Sequence, residues 1–387
     1  MDFFGWYVVI AAAAALATAA FTRPATKIAR KVGYVSIPGD RSVHMRITPY
    51  GGGLAMFAGL CVAMVVAALM PQLRGLFILT NEPVGVVIAC AVIVGVGLVD
   101  DMRNMSAPAK VAGEVLAASV LYFAGVTMTQ FKLPFAGAVV VGPSFVPLIT
   151  AIWVIALTNA INLIDGLDGL AAGIVAIASG TLCVYGLRLE QLGLLPATNI
   201  GPLVAAATCG LCLGFLPSNF HPARLFMGDA GALLLGVLMS ASTMVIGGRT
   251  APASGVTYFF FAPLLIPFLI LGVPLIDMAF AIVRRTASGQ GFHQADKDHI
   301  HHRLLRLGHG HRRTVAILWL WTALLSGMVL FPLFEPSVNV FIPFGVAAMG
   351  VGLYTWFHPG LRRGEGDDAP LEPVASASIG ENRPEMQ

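Results

Sequence analysis

Apolar runs of about twenty residues recur along this chain, and that recurrence restricts its fold more than any other feature. A helix rises about 1.5 Å per residue, so roughly 20 apolar residues cross a hydrocarbon core about 30 Å thick. By that measure the sequence predicts eleven spans, at 4–22, 51–70, 83–99, 108–127, 144–161, 169–187, 200–216, 230–247, 257–283, 314–334 and 337–357. Of the 387 residues, 57% are hydrophobic and 11% are charged, where a soluble domain carries about 25% charged residues. One water-facing globule cannot hide so much apolar surface, so the expected fold is an all-α polytopic membrane protein. The ninth run contains Pro263, Pro267 and Pro274 and is expected to kink. Residues 131–141 are short and β-prone, and predict a hairpin on the outer face. The start, Met1-Asp2-Phe3-Phe4, lacks a basic segment and a cleavage site, which predicts a first membrane helix and not a removed signal peptide. Two regions are expected: a membrane domain over 1–361 and a disordered cytoplasmic tail over 362–387, rich in Gly, Pro, Ser and acidic residues.

The net charge of +3 is too small to argue for nucleic acid. The placement of the charges is more informative. Eleven spans leave ten connections, and the odd-numbered ones together with the C-terminal tail hold nineteen of the 23 Lys and Arg residues. The even-numbered ones hold Arg74, Lys132, Arg188 and Arg249. The positive-inside rule then puts the odd connections and the C-terminus in the cytoplasm and the N-terminus outside. All nine histidines fall on the odd side or at its boundary, as do Asp100, Asp101, Asp165, Asp168, Asp229, Asp296 and Asp298. That coincidence predicts one cytoplasmic site. The five cysteines, Cys61, Cys90, Cys183, Cys209 and Cys212, lie inside apolar runs. Cys209 and Cys212 have the spacing of half a metal site but no second pair, so they are expected to be small buried residues.

Four blocks carry chemistry. In Leu98-Val99-Asp100-Asp101-Met102-Arg103-Asn104, adjacent carboxylates at a helix end repel each other and call for a cation or a proton; a solvated turn is the alternative. Hard divalent ions take such oxygen ligands, with substrate phosphates completing the shell. Lys110, near a helix start, either binds a phosphate or pairs with Glu114 at i,i+4. In Asn159-Ala160-Ile161-Asn162-Leu163-Ile164-Asp165-Gly166-Leu167-Asp168-Gly169, two carboxylates stand without any Lys or Arg. Uncompensated acids at a membrane boundary are costly and usually functional. On a helical turn, Asp165 and Asp168 would share one face, and Gly166 and Gly169 let a ligand approach the backbone; a polar cap and turn is the alternative. In Asn219-Phe220-His221-Pro222-Ala223-Arg224-Leu225-Phe226-Met227-Gly228-Asp229, Asp229 is either an ordinary N-cap or part of an ion or phosphate site at a helix N-terminus. Phe226 either stacks on a base or anchors at the interface. In Asp296-Lys297-Asp298-His299-Ile300-His301-His302-Arg303, the histidines and arginine suit a metal or a diphosphate, or a basic loop at an anionic leaflet.

In this order, over roughly residues 40–310, the four blocks resemble the polyprenyl-phosphate N-acetylhexosamine-1-phosphate transferases, glycosyltransferase family 4. His299-Ile300-His301-His302-Arg303 looks like the WecA/TagO-like branch, and Arg41 to Gly53 resembles the family's first cytoplasmic loop, with His44, Thr48-Pro49 and Gly52-Gly53 in place. The chain departs from the family where Met45 or Tyr50 replaces a basic residue and where Asn104 replaces a third carboxylate.

The resemblance implies transfer of N-acetylglucosamine-1-phosphate from UDP-N-acetylglucosamine to polyprenyl phosphate (undecaprenyl or decaprenyl), with release of UMP. It also implies Mg²⁺ or Mn²⁺ as cofactor, the plasma membrane as location, and a homodimer as the state of many members. By residue it implies Asp100 and Asp101 as catalytic, and Asn162 and Asp229 as metal ligands. Lys110, Asp165, Gly166, Asp168, Phe226, Arg285, His299, His301, His302 and Arg303 would bind substrate. Asp277, before Arg284-Arg285, matches a Pro-Leu-x-Asp pattern whose role is structural pairing or unassigned. The readings set against this one are a phospho-N-acetylmuramoyl-pentapeptide translocase or a transferase for another UDP-sugar, a transporter and a scaffold. A transporter places its site near the midplane between repeats, whereas these acids sit at one boundary.

Overall fold

The computed structural model describes residues 3–36, 47–133, 137–249, 310–335, 339 and 341–357. The expected ninth span, 257–283, and the tail lie outside these residues. Helix α1 (Phe3–Lys31) leads into two short strands, β1 (Val35–Ser36) and β2 (Thr48–Pro49). Then come α2 (Gly52–Leu69), the six-residue α3 (Arg74–Leu79), α4 (Glu82–Arg103) and α5 (Ala107–Phe123). Strands β3 (Gln130–Leu133) and β4 (Gly137–Val140) precede α6 (Val146–Ile164), α7 (Leu170–Gln191), α8 (Gly201–Asn219) and α9 (Gly228–Gly247). The described chain resumes with α10 (His311–Phe334) and α11 (Phe341–Phe357).

Ten of the eleven expected spans coincide with a helix. Among the described residues, eight helices are long and apolar enough to cross a bilayer. Helices α5 and α11 have 17 residues each, the lower limit for crossing a core about 30 Å thick. Two details differ from expectation. Helix α3 was not anticipated, being too short to carry a periodic signal. Helix α1 has 29 residues, about 44 Å at 1.5 Å per residue, so its last turns, bearing Lys27, Arg30 and Lys31, run beyond the hydrocarbon. The expected hairpin is present, with β3 antiparallel to β4 and Gln130 opposite Val140. Of the five cysteines, Cys90, Cys183 and Cys212 are buried as expected, whereas Cys61 and Cys209 are only partly buried.

Helix α9 is the core of the bundle. Every residue from Ala230 to Gly247 is buried, and α2, α4, α6 and α8 pack around it. A helix apolar on all sides belongs in such a position. Its few hydroxyls return to its own carbonyls, as with Ser240 Oγ donating to Gly236 O at 2.8 Å and Ser242 Oγ to Leu238 O at 2.9 Å, so none is left bare in the apolar interior. Close approach around α9 depends on glycine. A Cβ on Gly97 of α4 would lie 2.3 Å from Ala230 Cα, and one on Gly53 of α2 would lie 2.4 Å from Gly231 N. Without side chains there, α2 and α4 close directly on the first turn of α9.

The connections gather at two ends. At one end, Tyr34 meets Asp101, Gly169 meets Asn219, and Arg312 meets the carbonyl of His221. At the other, Arg249 Nη1 pairs with Glu82 Oε1 at 2.6 Å, Thr129 Oγ1 donates to Gly248 O at 3.2 Å, and Arg188 Nε donates to Leu333 O at 3.2 Å. These contacts join odd connections to odd and even to even, as an antiparallel succession of crossings requires.

Candidate functional site

The site is assembled at the odd end, around the first turn of α9. The first N–H groups of a helix have no intrahelical partner and carry positive partial charge. Here Asp101, from the last turn of α4, supplies the acceptor. Its Oδ1 accepts from Asp229 N at 2.8 Å and its Oδ2 from Ala230 N at 3.2 Å. Tyr34 Oη donates to Oδ2 at 2.6 Å. Burial, then the neighbouring Asp101, push the Tyr34 phenol up, so it stays protonated and donates. Gly228, at φ +67°, has no room for a side chain, because a Cβ would lie 2.5 Å from Asp101 Oδ2. The expected alternative for Asp229 as N-cap is therefore corrected. Met227 holds the cap position without a side-chain bond, the cap comes from Asp101, and the Asp229 side chain is left to face the site.

Asp100, one residue earlier, turns a different way. Its Oδ1 accepts from Met105 N at 2.7 Å, and its Oδ2 pairs with Lys110 Nζ at 2.9 Å. Lys110 also reaches Asp229 Oδ2, while Asn162 Nδ2 donates to Asp229 Oδ1 at 2.9 Å. One ammonium thus lies between two carboxylates. Of the two alternatives for Lys110, pairing with Glu114 does not occur. Glu114 is buried and accepts from Asn159 Nδ2 at 2.9 and 3.0 Å and from Thr158 Oγ1 at 3.2 Å. This pairing tethers α5 to α6 beneath the site. Glu114 and Tyr34 are the contributors that sequence reasoning missed. For Glu114 the available signal was a carboxylate inside an apolar run; for Tyr34 there was none.

Asp165 and Asp168 lie in the turn between α6 and α7, so the expectation that a helical turn puts them on one face is corrected. Asp165 faces the Asp101–Asp229 group, and burial together with the charges of Asp229, Asp101 and Asp168 holds its carboxyl well above the usual range. Asp168 turns to the loop before α9, where Oδ2 lies 2.7 Å from His221 Nδ1 and accepts from Ala223 N at 3.0 Å. Gly166 is exposed in this turn. Asn219 is buried and joins the two loops, accepting from Gly169 N at 2.9 Å and donating to Leu225 O at 3.1 Å. Phe226 is half-buried. Its N–H donates to Pro49 O and its carbonyl accepts from Gly52 N, both at 3.0 Å, and its ring lies 6.1 Å from that of Tyr50, which in turn is 5.3 Å from Tyr34.

The structure thus brings together Asp100, Asp101, Lys110, Asn162, Asp165 and Asp229, with Gly166, Asp168 and Phe226 on the adjoining loops. His44, Met45, Asp277, Arg285, His299, His301, His302 and Arg303 lie outside the described residues. Among the described residues, Lys110 is the cation in direct contact with the acids at α9, so their negative charge exceeds the positive. Asp229 Oδ1 accepts from Asn162 Nδ2; turned about, that amide would offer its oxygen beside the carboxylate, and Mg²⁺ is commonly held by one or two such oxygen donors with substrate phosphates completing its octahedron. The donor set fits the ion.

A membrane bundle whose described residues gather acids and a lysine at one end suits an enzyme that works on phosphates at a bilayer surface. Residues 83–247 match the glycosyl transferase family 4 model. The chain is 36% identical over 364 residues to the decaprenyl-phosphate N-acetylglucosaminephosphotransferase of Mycobacterium tuberculosis, covering 91% of this chain and 88% of that one. It is 38% identical over 315 residues to the probable undecaprenyl-phosphate N-acetylglucosaminyl 1-phosphate transferase of Bacillus subtilis, covering 81% of each. Likeness to the phospho-N-acetylmuramoyl-pentapeptide-transferase of Desulforudis audaxviator is 35% over 224 residues, covering 51% of this chain and 62% of that one. The chain belongs to glycosyl transferase family 4, on its WecA/TagO-like branch.

Proposed function

We propose that this protein transfers N-acetylglucosamine-1-phosphate from UDP-N-acetylglucosamine to a polyprenyl phosphate, releasing UMP, at the cytoplasmic face of the plasma membrane. Its product would start a cell-envelope glycopolymer. The observation that carries the reading is the pairing of Lys110 with both Asp100 and Asp229, beside Asp101, which caps the helix that presents Asp229, in a chain whose relatives named for this transfer match it over most of their length.

The chemistry is an in-line displacement. An oxygen of the lipid phosphate attacks the β-phosphorus of the nucleotide sugar, the bond from that phosphorus to the bridging oxygen breaks, and UMP leaves with the electron pair. Both reactants are anions, so charge must be neutralised as they meet. Mg²⁺ or Mn²⁺ held by Asp229 and Asn162 would supply that neutralisation on the phosphate oxygens. Lys110 supplies the chain's own positive charge at the same place. Asp100 holds Lys110 in register. Asp101 has its oxygens engaged by Tyr34 and by α9, so it acts by fixing the turn that presents Asp229. Asp165, Gly166, Asp168 and Phe226 form the walls for nucleotide and sugar. The nucleophile is already ionised near neutral pH, so no strong base is required.

The test is UMP release by the purified chain with Mg²⁺, polyprenyl phosphate and UDP-N-acetylglucosamine, beside Asp229→Asn. Lipid- and metal-dependent UMP, lost in the variant, is the expected result. Turnover with another UDP-sugar alone moves the donor and keeps the mechanism. Lack of turnover with any of them sinks the reading.

A further inference from the structure

The odd end holds a second group of ligating side chains, of different chemistry from the acids at α9. Asp168 lies between α6 and α7, His221 lies between α8 and α9, and His311 opens α10. Each puts one ligand atom within 4.8 Å of the other two. The His221 and His311 rings stack with centroids 4.1 Å apart and 19° between planes. Asp168 fixes the first ring, with its Oδ2 2.7 Å from His221 Nδ1, and the stacking carries that orientation to the second. With Asp168 as the acceptor of this bond, His221 Nδ1 donates and Nε2 lies outside it. His311 Nε2 is buried and has no hydrogen-bond partner among the described residues. Histidines oriented through one ring nitrogen by a carboxylate or carbonyl, with the other nitrogen free, are the usual arrangement of metal-ligating imidazoles.

We propose that Asp168, His221 and His311 form a binding site for a divalent transition ion of the Zn²⁺ or Co²⁺ type. Two imidazoles and one carboxylate suit such ions, whereas Mg²⁺ prefers oxygen alone. Metal–ligand bonds of about 2.0–2.2 Å put tetrahedral ligand atoms about 3.4 Å apart, so atoms within 4.8 Å of one another close by up to about 1.4 Å, which side-chain rotation supplies. Where His221 ligates through Nδ1, its shared proton is released on binding. Arg312 is close but faces away from the ligand atoms. Its Nη2 and Nε donate to His221 O at 2.9 and 3.2 Å, and its guanidinium lies 5.9 Å from the Phe220 ring centre. Its charge disfavours weakly held cations, which sharpens selection for imidazole-bound ones.

The site ties three connections together through Asp168. A bound ion competes with the bond from Ala223 N to the same oxygen, and so draws this carboxylate from the loop that leads to Phe226 and Asp229. The consequence for catalysis rests on the proposed transfer reaction; the ion site itself does not.

The experiment uses the full chain, purified in detergent without a histidine tag and stripped by chelator. It is loaded with Co²⁺ or Zn²⁺ in excess Mg²⁺, then desalted and assayed for metal. One ion per chain is expected, with visible Co²⁺ bands. The count should persist in Asp229→Asn and fall below a tenth in His311→Gln. A chain that retains no ion, or a His311→Gln variant that retains the same count, overturns the proposal. Should His311→Gln fail to fold, X-ray absorption of the unmodified Zn²⁺-loaded chain decides: two imidazole nitrogens with oxygen are expected, and an all-oxygen shell overturns it. In the UMP assay, stoichiometric Zn²⁺ should slow the unmodified chain at least tenfold and His311→Gln less than twofold; equal inhibition of both overturns the link to Asp168. A chain that releases no UMP leaves the ion count to decide the site.

Discussion

Lys110 and Asp165 occupy opposite electrostatic situations within one cluster. Lys110 joins Asp100 and Asp229, and its removal leaves two facing carboxylates with nothing between them. Lys110→Met should lower kcat for UMP release by about 10²–10³-fold, the usual loss when one preorganised charge is removed. Steady-state kinetics at saturating substrates measure it; an unchanged kcat would mean that the ammonium does not face the reacting phosphates. Among the described residues Asp165 has no cation of its own. Its carboxyl is held well above the usual range by burial and by Asp229, Asp101 and Asp168, so the folded chain binds this proton more tightly than the unfolded one. Stability from this group is therefore fully present below the unfolded carboxylate pKa and is lost as pH rises through the raised folded value. In chelator, the melting temperature should fall with rising pH more steeply for the parent than for Asp165→Asn. Parallel pH curves for the two chains would remove Asp165 as the source.

At the scale of helices, what matters is how closely α4 approaches α9. Gly97 lets Ala230 come against the α4 backbone, while a Cβ on Gly95, two residues earlier, would meet nothing within 4 Å. Gly97→Val should cost stability by about 1–3 kcal/mol through overpacking and separate Asp101 from the first turn of α9, with activity falling more than tenfold. Gly95→Val should leave activity within about twofold, as surface substitutions away from special features usually do. Melting curves and UMP release on the pair test this, and equal effects would deny the close approach a role. The same helices show what a sequence yields and what it withholds. The apolar period located α4, α6 and α9, because crossing a bilayer demands a length and composition that no tertiary contact overrides. The residue types for phosphate chemistry were legible for the same reason, since charge at a membrane boundary is costly. The division of labour between Asp100 and Asp101 was not legible. Adjacent in the chain, they diverge because Asp101 caps a helix that begins 127 residues later while Asp100 turns to Lys110. Tyr34 left no trace at all, since its partner is 67 residues away and a tyrosine after a helix is otherwise ordinary.

Across the whole molecule, access of a nucleotide sugar to the site depends on which end faces the cytoplasm. The contacts sort the connections into two sets, and the lysines and arginines favour one set heavily. The charged residues that break the pattern are themselves informative: Arg249, on the sparse side, is paired with Glu82 and with the carbonyl of Gly125. That end therefore presents little unpaired charge to an anionic inner leaflet, while α1 extends Lys27, Arg30 and Lys31 beyond the bilayer at the other end. Arg224 and Arg74 are both exposed and mark the two ends. In a chain whose native cysteines are replaced, Arg224→Cys should react with an impermeant maleimide in inside-out vesicles and stay unlabelled in intact cells, and Arg74→Cys should do the reverse. A cytosolic nucleotide sugar could not reach Asp229 if the labelling were inverted. That outcome would overturn the orientation and, with it, the proposal that the donor enters from the cytoplasm, while leaving the arrangement of Asp100, Lys110 and Asp229 as it stands.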